Sequence, residues 1–204
     1  MLGTRYVTKL RVSLENKGLL RIGNGDDELL LDPITHGPVL PANSIAGAFR
    51  AYCETLDMDI ENVKLLFGSS SSSSDNELSR SRLFVYDAIS DSALLDERVR
   101  VAIDGRRGAA KEKQNYRVKY LNSGIQFELE LEYEAKDQQE RALFQEMLDK
   151  ALKALGQGHI RLGSQKTNGA GVFTIHKVEE VALDLYDYKQ YADYLLERYE
   201  YTCV

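Results

Sequence analysis

The sequence predicts an α+β fold in which an antiparallel sheet is covered by two helices on one face, and three observations predict it. Two segments alternate apolar and polar residues at the period of a half-buried strand, Tyr6 to Leu14 and Phe127 to Glu134. Two others repeat apolar residues at helical spacing, Ile45 to Leu56 and Leu143 to Leu155. With 204 residues, 43% of them hydrophobic, the chain can bury one substantial core, and residues 1–204 are expected to form one domain with insertions.

The elements follow in order. In the first strand, Thr8, Leu10, Val12 and Leu14 alternate with Val7, Lys9, Arg11 and Ser13, which places cations on one face. A turn at Asn16 to Gly18 leads to GNGDDE, Gly23 to Glu28, and then to LLLDPITHGPVLP, Leu29 to Pro41, whose prolines and glycines mark a structured loop. A helix is expected from Ser44 with Asn43 or Ser44 as its N-cap, and a second short helix from Ile60 to Phe67, ending at Gly68. Six consecutive serines, Ser69 to Ser74, cannot contribute to a core, so residues 69–76 read as a flexible insertion.

Arg82 to Ala88 reads as another strand, followed by a basic insertion at about 98–124. Next come the strand whose outer face is Glu128, Glu130, Glu132 and Glu134, a helix introduced by Asp137, and a last strand from Val172 to Val178. The order strand, helix, strands, strand, helix, strand is that of a ferredoxin-like (RRM-like) sandwich.

Composition narrows the class. Cys53 and Cys203 have neither metal-ligand spacing nor the pattern of a disulfide framework, and no apolar run approaches the length of a membrane span, so a soluble cytoplasmic protein is expected. The net charge of −6 argues against a nucleic-acid partner, but it is unevenly spread. Arg98 to Lys119 holds eight cations and two anions, +6 in all, which leaves −12 on the remainder. A basic strip can hold phosphates locally, because salt screens charges beyond about 10 Å. The acidic tail carries Tyr186, Tyr188, Tyr191, Tyr194, Tyr199 and Tyr201, which read as packing or subunit contacts rather than base-stacking platforms.

The segment GHIRLGSQKTNGAGVF, Gly158 to Phe173, sets glycines at 158, 163, 169 and 171 around Arg161 and Lys166. Glycine lets backbone amides approach a phosphate closely while a cation completes the charge. The bland reading is a long helix-to-strand connection.

Three separated segments now converge. LPANSIAGAFR (Leu40 to Arg50), LFG (Leu66 to Gly68) and LGSQKTNGAGVF (Leu162 to Phe173) stand in the order and spacing of the RAMP superfamily of CRISPR-associated proteins, which the chain resembles. GDDELLLDPITHGPVLP (Gly25 to Pro41) further resembles the repeated backbone subunit of type III effector complexes, especially the III-A kind. The resemblance implies a ferredoxin-like palm stacked with other copies of itself and other type III subunits along a guide RNA, with a thumb hairpin within Arg98 to Lys119 interrupting the guide–target duplex. It also implies metal-dependent endonuclease cleavage of target RNA by an aspartate in the loop after the first strand. The matching position is Asp26, with Asp27 its immediate rival.

A carboxylate on such a loop can hold a divalent cation, Mg2+ being the expected one, while RNA oxygens and water complete the coordination. The competing reading makes Asp26, Asp27 and Glu28 solvated turn residues. Asp32, before Pro33, reads as a turn cap, and His36 as a turn residue or an acid–base group. RNA contacts are expected from Asn43 and Ser44 at the helix start, from Arg50, from Arg106, Arg107, Lys111 and Lys113 in the basic segment, and from Arg161, Gly163, Lys166, Gly169 and Gly171 in the glycine loop. Two departures from the family pattern stand out: Ala46 where a lysine is frequent, and Val172 where an arginine commonly follows the last glycine. Other readings remain open at this stage: a non-catalytic RNA-binding subunit, a guide-precursor processing endonuclease using His36, and an assembly module held by its tyrosine-rich tail.

Overall fold

Leu10, Val12 and Leu14 are buried on one face of β1, Tyr6–Asn16, as the alternation requires, and this strand becomes the centre of the molecule. The computed structural model describes residues 4–23, 29–56, 58–69, 80–91, 95–103 and 110–204, with the backbone alone for 100–103 and 110–116. After β1 come β2 (Val39–Leu40), α1 (Ala42–Thr55), α2 (Ile60–Phe67), β3 (Leu83–Val85), β4 (Ala88–Ile89), β5 (Leu95–Ile103), β6 (Ala110–Leu121) and β7 (Gln126–Ala135). The chain continues through α3 (Gln138–Gly156), a 3-10 turn (Lys166–Asn168), β8 (Phe173–Asp184), α4 (Tyr188–Leu195) and β9 (Thr202–Cys203). Most of the serine-rich insertion lies outside the described residues.

The main sheet runs β3-β7-β1-β8-β9, with every pairing antiparallel. Its first four strands, in that order with α1 and α2 before β3 and α3 before β8, make the ferredoxin-like arrangement. The helices α1 and α3 cover one face. Along α3, Phe144, Met147, Leu148, Ala151, Leu152 and Leu155 form a buried stripe against Leu10, Val12, Phe127, Leu129 and Phe173, each large side chain contributing about 1.5–3 kcal/mol. Asp137 caps α3 by accepting from the Glu140 N–H at 2.8 Å. The buried Glu140 carboxylate accepts from the Lys136 N–H at 2.6 Å and pairs with Arg82 at 2.8 Å, joining the helix start to the chain entering β3.

The opposite face is covered by the carboxy-terminal segment. Lys9 pairs with Glu132 at 3.2 Å and Arg11 with Glu130 at 3.0 Å across the β1–β7 register, and the tail lays its aromatic rings over these cations. Lys9 lies 5.3 Å from the ring of Tyr194 and 5.1 Å from that of Tyr199, and Arg11 lies 4.4 Å from Tyr201. The Tyr194 hydroxyl donates to Glu132 at 3.1 Å. Burial works against the Lys9 charge, but the Tyr199 hydroxyl and the Glu132 carboxylate outweigh it and raise the Lys9 pKa. Three of the tail tyrosines, Tyr194, Tyr199 and Tyr201, therefore pack, as expected, and they close the sheet face on which RRM-like folds stack bases.

Several boundaries differ from expectation. The first helix begins at Ala42, with Pro41 as its N-cap and no side-chain cap of its own, so neither Asn43 nor Ser44 caps it. Instead the Asp87 carboxylate accepts from the Ala42 N–H at 2.7 Å. The strand expected over Arg82 to Ala88 breaks into β3 and β4, and the last strand continues six residues beyond Val178. The basic insertion is an antiparallel hairpin of β5 with β6 that starts at Leu95, three residues earlier than the charge pattern indicated, and so includes Asp96 and Glu97.

Candidate nucleic-acid interface

Residues 19–23, which leave β1 by way of a turn, gather three of the candidate features. The turn is set by the buried Asn16, whose side-chain amide donates to the carbonyls of Gly18 and Asn122 at 2.7 and 2.8 Å and whose side-chain oxygen accepts from the Ile125 N–H at 2.8 Å. Leu20 then forms a two-way backbone bridge with Leu121, the last residue of β6, at 3.0 and 2.7 Å. The foot of the basic hairpin is thus fixed to this segment.

The glycine loop is fixed to it from another side. The Ser164 N–H donates to the Arg21 carbonyl at 2.7 Å, and the Gly171 N–H donates to the Leu19 carbonyl at 3.0 Å. At Gly163, φ is 87°, and an added Cβ would stand 2.5 Å from the Arg21 carbonyl oxygen. At Gly171, φ is 80°, and a Cβ would collide with the Leu162 carbonyl. These two glycines permit close approach of protein backbone to protein backbone, so the Gly171 amide is already committed. Gly169, with φ 85°, is different: it is exposed and nothing approaches its Cβ position within 4 Å. Lys166 is exposed beside it, and Arg161 donates to the Lys166 carbonyl at 2.7 Å, which braces the loop tip.

The third feature is the loop that carries the acidic candidates. Gly23 bridges Leu29, and the Leu30 N–H donates to the Ile22 carbonyl at 2.8 Å, so its base is closed by the same segment. Asp26 and Asp27 themselves lie outside the described residues. Just beyond, Asp32 accepts from the N–H groups of Ile34 and Thr35 at 3.0 and 2.7 Å and from the Thr35 hydroxyl at 3.0 Å. These bonds hold its carboxyl below the usual range and make it a turn cap. His36 has φ 58° in that turn and donates its N–H to the Asp32 carbonyl, the placement of a turn residue.

The remaining candidates are distributed differently. Asn43 and Ser44 are exposed in the first turn of α1, which is linked to the 19–23 segment through the Val39 N–H donating to Leu30 and Leu30 to Ile22. Arg50 is engaged elsewhere, pairing with Glu54 at 2.9 Å and donating to the Gly68 carbonyl at 3.0 Å, a brace between α1 and the end of α2. Arg106 and Arg107 lie outside the described residues; Lys111 and Lys113 lie on β6, where the backbone alone is described. At the hairpin foot Asp96 pairs with Arg98 at 3.1 Å and Glu97 with Arg117 at 3.4 Å, so the charge left over belongs to Lys119 and to the stretch from Arg100 to Lys113.

Sequence reasoning missed Asp87 and the Arg21–Ser164 contact, and it placed Asn16 in its turn without its long-range bonds to Asn122 and Ile125. Among the described residues no group of three metal-ligating side chains converges, and no helix is long and apolar enough to cross a membrane.

Among curated proteins no relative matches the chain. Among solved structures, it is similar to a chain in a cryo-EM structure described as the Type III-B Cmr-beta bound to cognate target RNA, with a TM-score of 0.65 and 18% identity. The similarity covers 87% of this chain and 61% of that one, so this chain spans less than two thirds of the length of its structural counterpart. The model of the RAMP superfamily matches residues 13–174, from within β1 to the second residue of β8. That match takes in the helix α1 segment, the hairpin and the whole glycine loop, and the protein belongs to the RAMP superfamily.

Proposed function

We propose that this chain is a subunit of a type III CRISPR effector complex, that it binds guide RNA and that it cleaves target RNA. The observation that carries the reading is the convergence on residues 19–23 of the glycine loop, the foot of the basic hairpin and the base of the loop bearing Asp26. One short segment holds a cationic arm, a braced loop with an open glycine and an exposed lysine, and an acidic loop. The fold shared with a chain of a target-RNA-bound type III-B complex supports the assignment to that class of assembly.

In this reading the hairpin cations and Lys166 bind phosphates, and Gly169 leaves room for the RNA backbone to approach. Asp26 is the proposed catalytic carboxylate, with Asp27 as its neighbour, and it would hold a divalent cation such as Mg2+. The cation would supply charge neutralisation at the scissile phosphate. RNA oxygens and water would complete its coordination, since Mg2+ commonly keeps several waters and binds through one or two carboxylates. The partners are guide RNA, target RNA, other copies of this chain and other effector subunits.

The test is target cleavage by the purified complex, with and without EDTA, for the wild type and the Asp26→Ala and Asp27→Ala variants. Loss of cutting with Asp26→Ala, while assembly and target binding persist, is expected. Full cutting by both variants would reduce the chain to an RNA-binding scaffold.

A further inference from the structure

A cleft of 460 Å³ opens between the outer face of the sheet and the carboxy-terminal segment, within the size range of small-ligand sites. It is lined by three carboxylates, Glu130, Glu132 and Glu197, and by two cations, Lys9 and Arg11. Glu132 is matched by Lys9 at 3.2 Å and Glu130 by Arg11 at 3.0 Å. The exposed Glu197 side chain has no hydrogen bond or ion pair among the described residues. Tyr86 and Tyr201 also line the cleft, and their hydroxyl pKa values are raised, by burial first and then by Glu132 and Glu130 respectively, so the potential inside favours positive charge.

The backbone at Glu197 is unusual for a residue with a side chain. α4 ends in a Schellman turn, in which the Arg198 N–H donates to the Asp193 carbonyl at 2.8 Å and the Glu197 N–H to the Tyr194 carbonyl at 3.3 Å. The left-handed position of this motif normally takes glycine, and here Glu197 occupies it with φ 53°. The fold would accept glycine more readily, yet the position carries a carboxylate that faces the cleft. The aromatic side of the cleft is equally unfilled. Tyr199 and Tyr201 hold Lys9 and Arg11 over their rings at 5.1 and 4.4 Å, whereas no cation lies over the half-exposed Tyr86 among the described residues.

We infer that this cleft binds the guanidinium of an arginine side chain presented by a partner protein, stacked on the Tyr86 ring and paired with Glu197. A planar guanidinium can lie on a ring and direct two N–H groups at one carboxylate, which an ammonium cannot do. Phosphate is disfavoured by the three carboxylates. A polypeptide source fits the rim, where Leu195 and Leu196, next to Glu197, are 60% and 57% exposed and offer an apolar rest for a backbone. Free arginine fits less well, because its own carboxylate would meet Glu130 and Glu197. Five of the nine lining residues, Lys9, Arg11, Glu197, Tyr199 and Tyr201, lie outside the part of the chain matched by the RAMP model. The inference goes beyond the RNA reading and does not rest on it.

The test is NMR titration of the full chain, free of RNA and at constant ionic strength, with N-acetyl-L-arginine amide, N-acetyl-L-lysine amide, L-arginine and a single-stranded oligouridylate. The blocked arginine is expected to shift the amides of Tyr86, Glu197, Tyr199 and Tyr201 saturably, and to bind about fivefold more tightly than the blocked lysine or free arginine. Tyr86→Ser weakens that binding about tenfold, whereas Tyr86→Phe, which keeps the ring face, leaves it unchanged. Glu197→Gly weakens it to a similar extent while remaining at least as stable to urea as the wild type, a combination that a structural role for Glu197 would reverse. Absence of saturable shifts, equal binding of the blocked lysine, or full binding by Glu197→Gly overturns the inference. Tighter binding of free arginine also overturns it, by making the occupant a small molecule, and so does displacement of the same resonances by the oligouridylate, by making it RNA. The RNA reading fails separately, if the oligouridylate leaves the resonances of residues 161–171 unmoved.

Discussion

Leu20 and Leu121 exchange both of their backbone hydrogen bonds, at 3.0 and 2.7 Å, so the last residue of the basic hairpin is locked to the segment that leaves the central strand. That segment also accepts from the glycine loop through Leu19 and Arg21 and bridges the base of the acidic loop through Gly23. A cationic arm, a glycine loop and a carboxylate loop far apart in the sequence thus share one anchor, and the proposed RNA path is built on it.

The glycines of the loop are not equivalent, and their replacement separates structural from ligand-facing positions. Gly171→Ala drives a Cβ into the Leu162 carbonyl at φ 80° and is expected to cost more than about 2 kcal/mol in urea unfolding. Gly169→Ala meets open space and incurs only the left-handed backbone penalty, about 1 kcal/mol. Equal costs at the two positions would contradict the assigned close approach.

On the outer face, Lys9 and Arg11 look alike in the sequence but differ in burial. Lys9→Met leaves the nearly buried Glu132 without its cation and is expected to destabilise the fold by about 3 kcal/mol. Arg11→Met breaks pairs with the more exposed Glu128 and Glu130 and is expected to cost less than about 1 kcal/mol. Thermal or urea denaturation of the two variants checks the ordering.

Much of the frame is legible because it is local. The strand alternations of β1 and β7, the buried stripe of α3, its Asp137 cap and the Asp32 turn all follow from residues within a few positions of one another. What the sequence does not display are contacts made across long separations. The α1 cap comes from Asp87, 45 positions away; Ser164 meets Arg21 across 143 positions; and Glu132 receives Tyr194 across 62. The glycine loop shows the same limit: its composition suggested a phosphate cradle, but at Gly163 and Gly171 the close neighbour is the chain's own backbone.

Acid should loosen the Asp32 turn. Its carboxyl is held below 3.8 by the N–H groups of Thr35 and Ile34, so the turn's stabilisation is fully present above pH 3.8 and is lost as pH falls through the lowered value. The amide resonances of Ile34 and Thr35 are expected to titrate together with a midpoint below 3.8 and to lose that titration in Asp32→Ala. A midpoint above 3.8 would contradict the assigned hydrogen bonds.

The hairpin charges should appear in the salt dependence of RNA binding. If Arg106 and Arg107 each neutralise one phosphate of single-stranded RNA, replacing both with alanine lowers the slope of log K against log salt by about 1.4. An unchanged slope would remove them from the interface.

The central claim is that RNA lies along the elements anchored at residues 19–23 and not on the tyrosine-covered face of the sheet. Photo-cross-linking of the assembled complex with thiouridine-bearing guide RNA, followed by peptide mass spectrometry, tests it directly. The account predicts cross-links in residues 161–171 and in the hairpin from Leu95 to Leu121. Cross-links concentrated instead on Lys9, Arg11, Tyr199 and Tyr201 would contradict it.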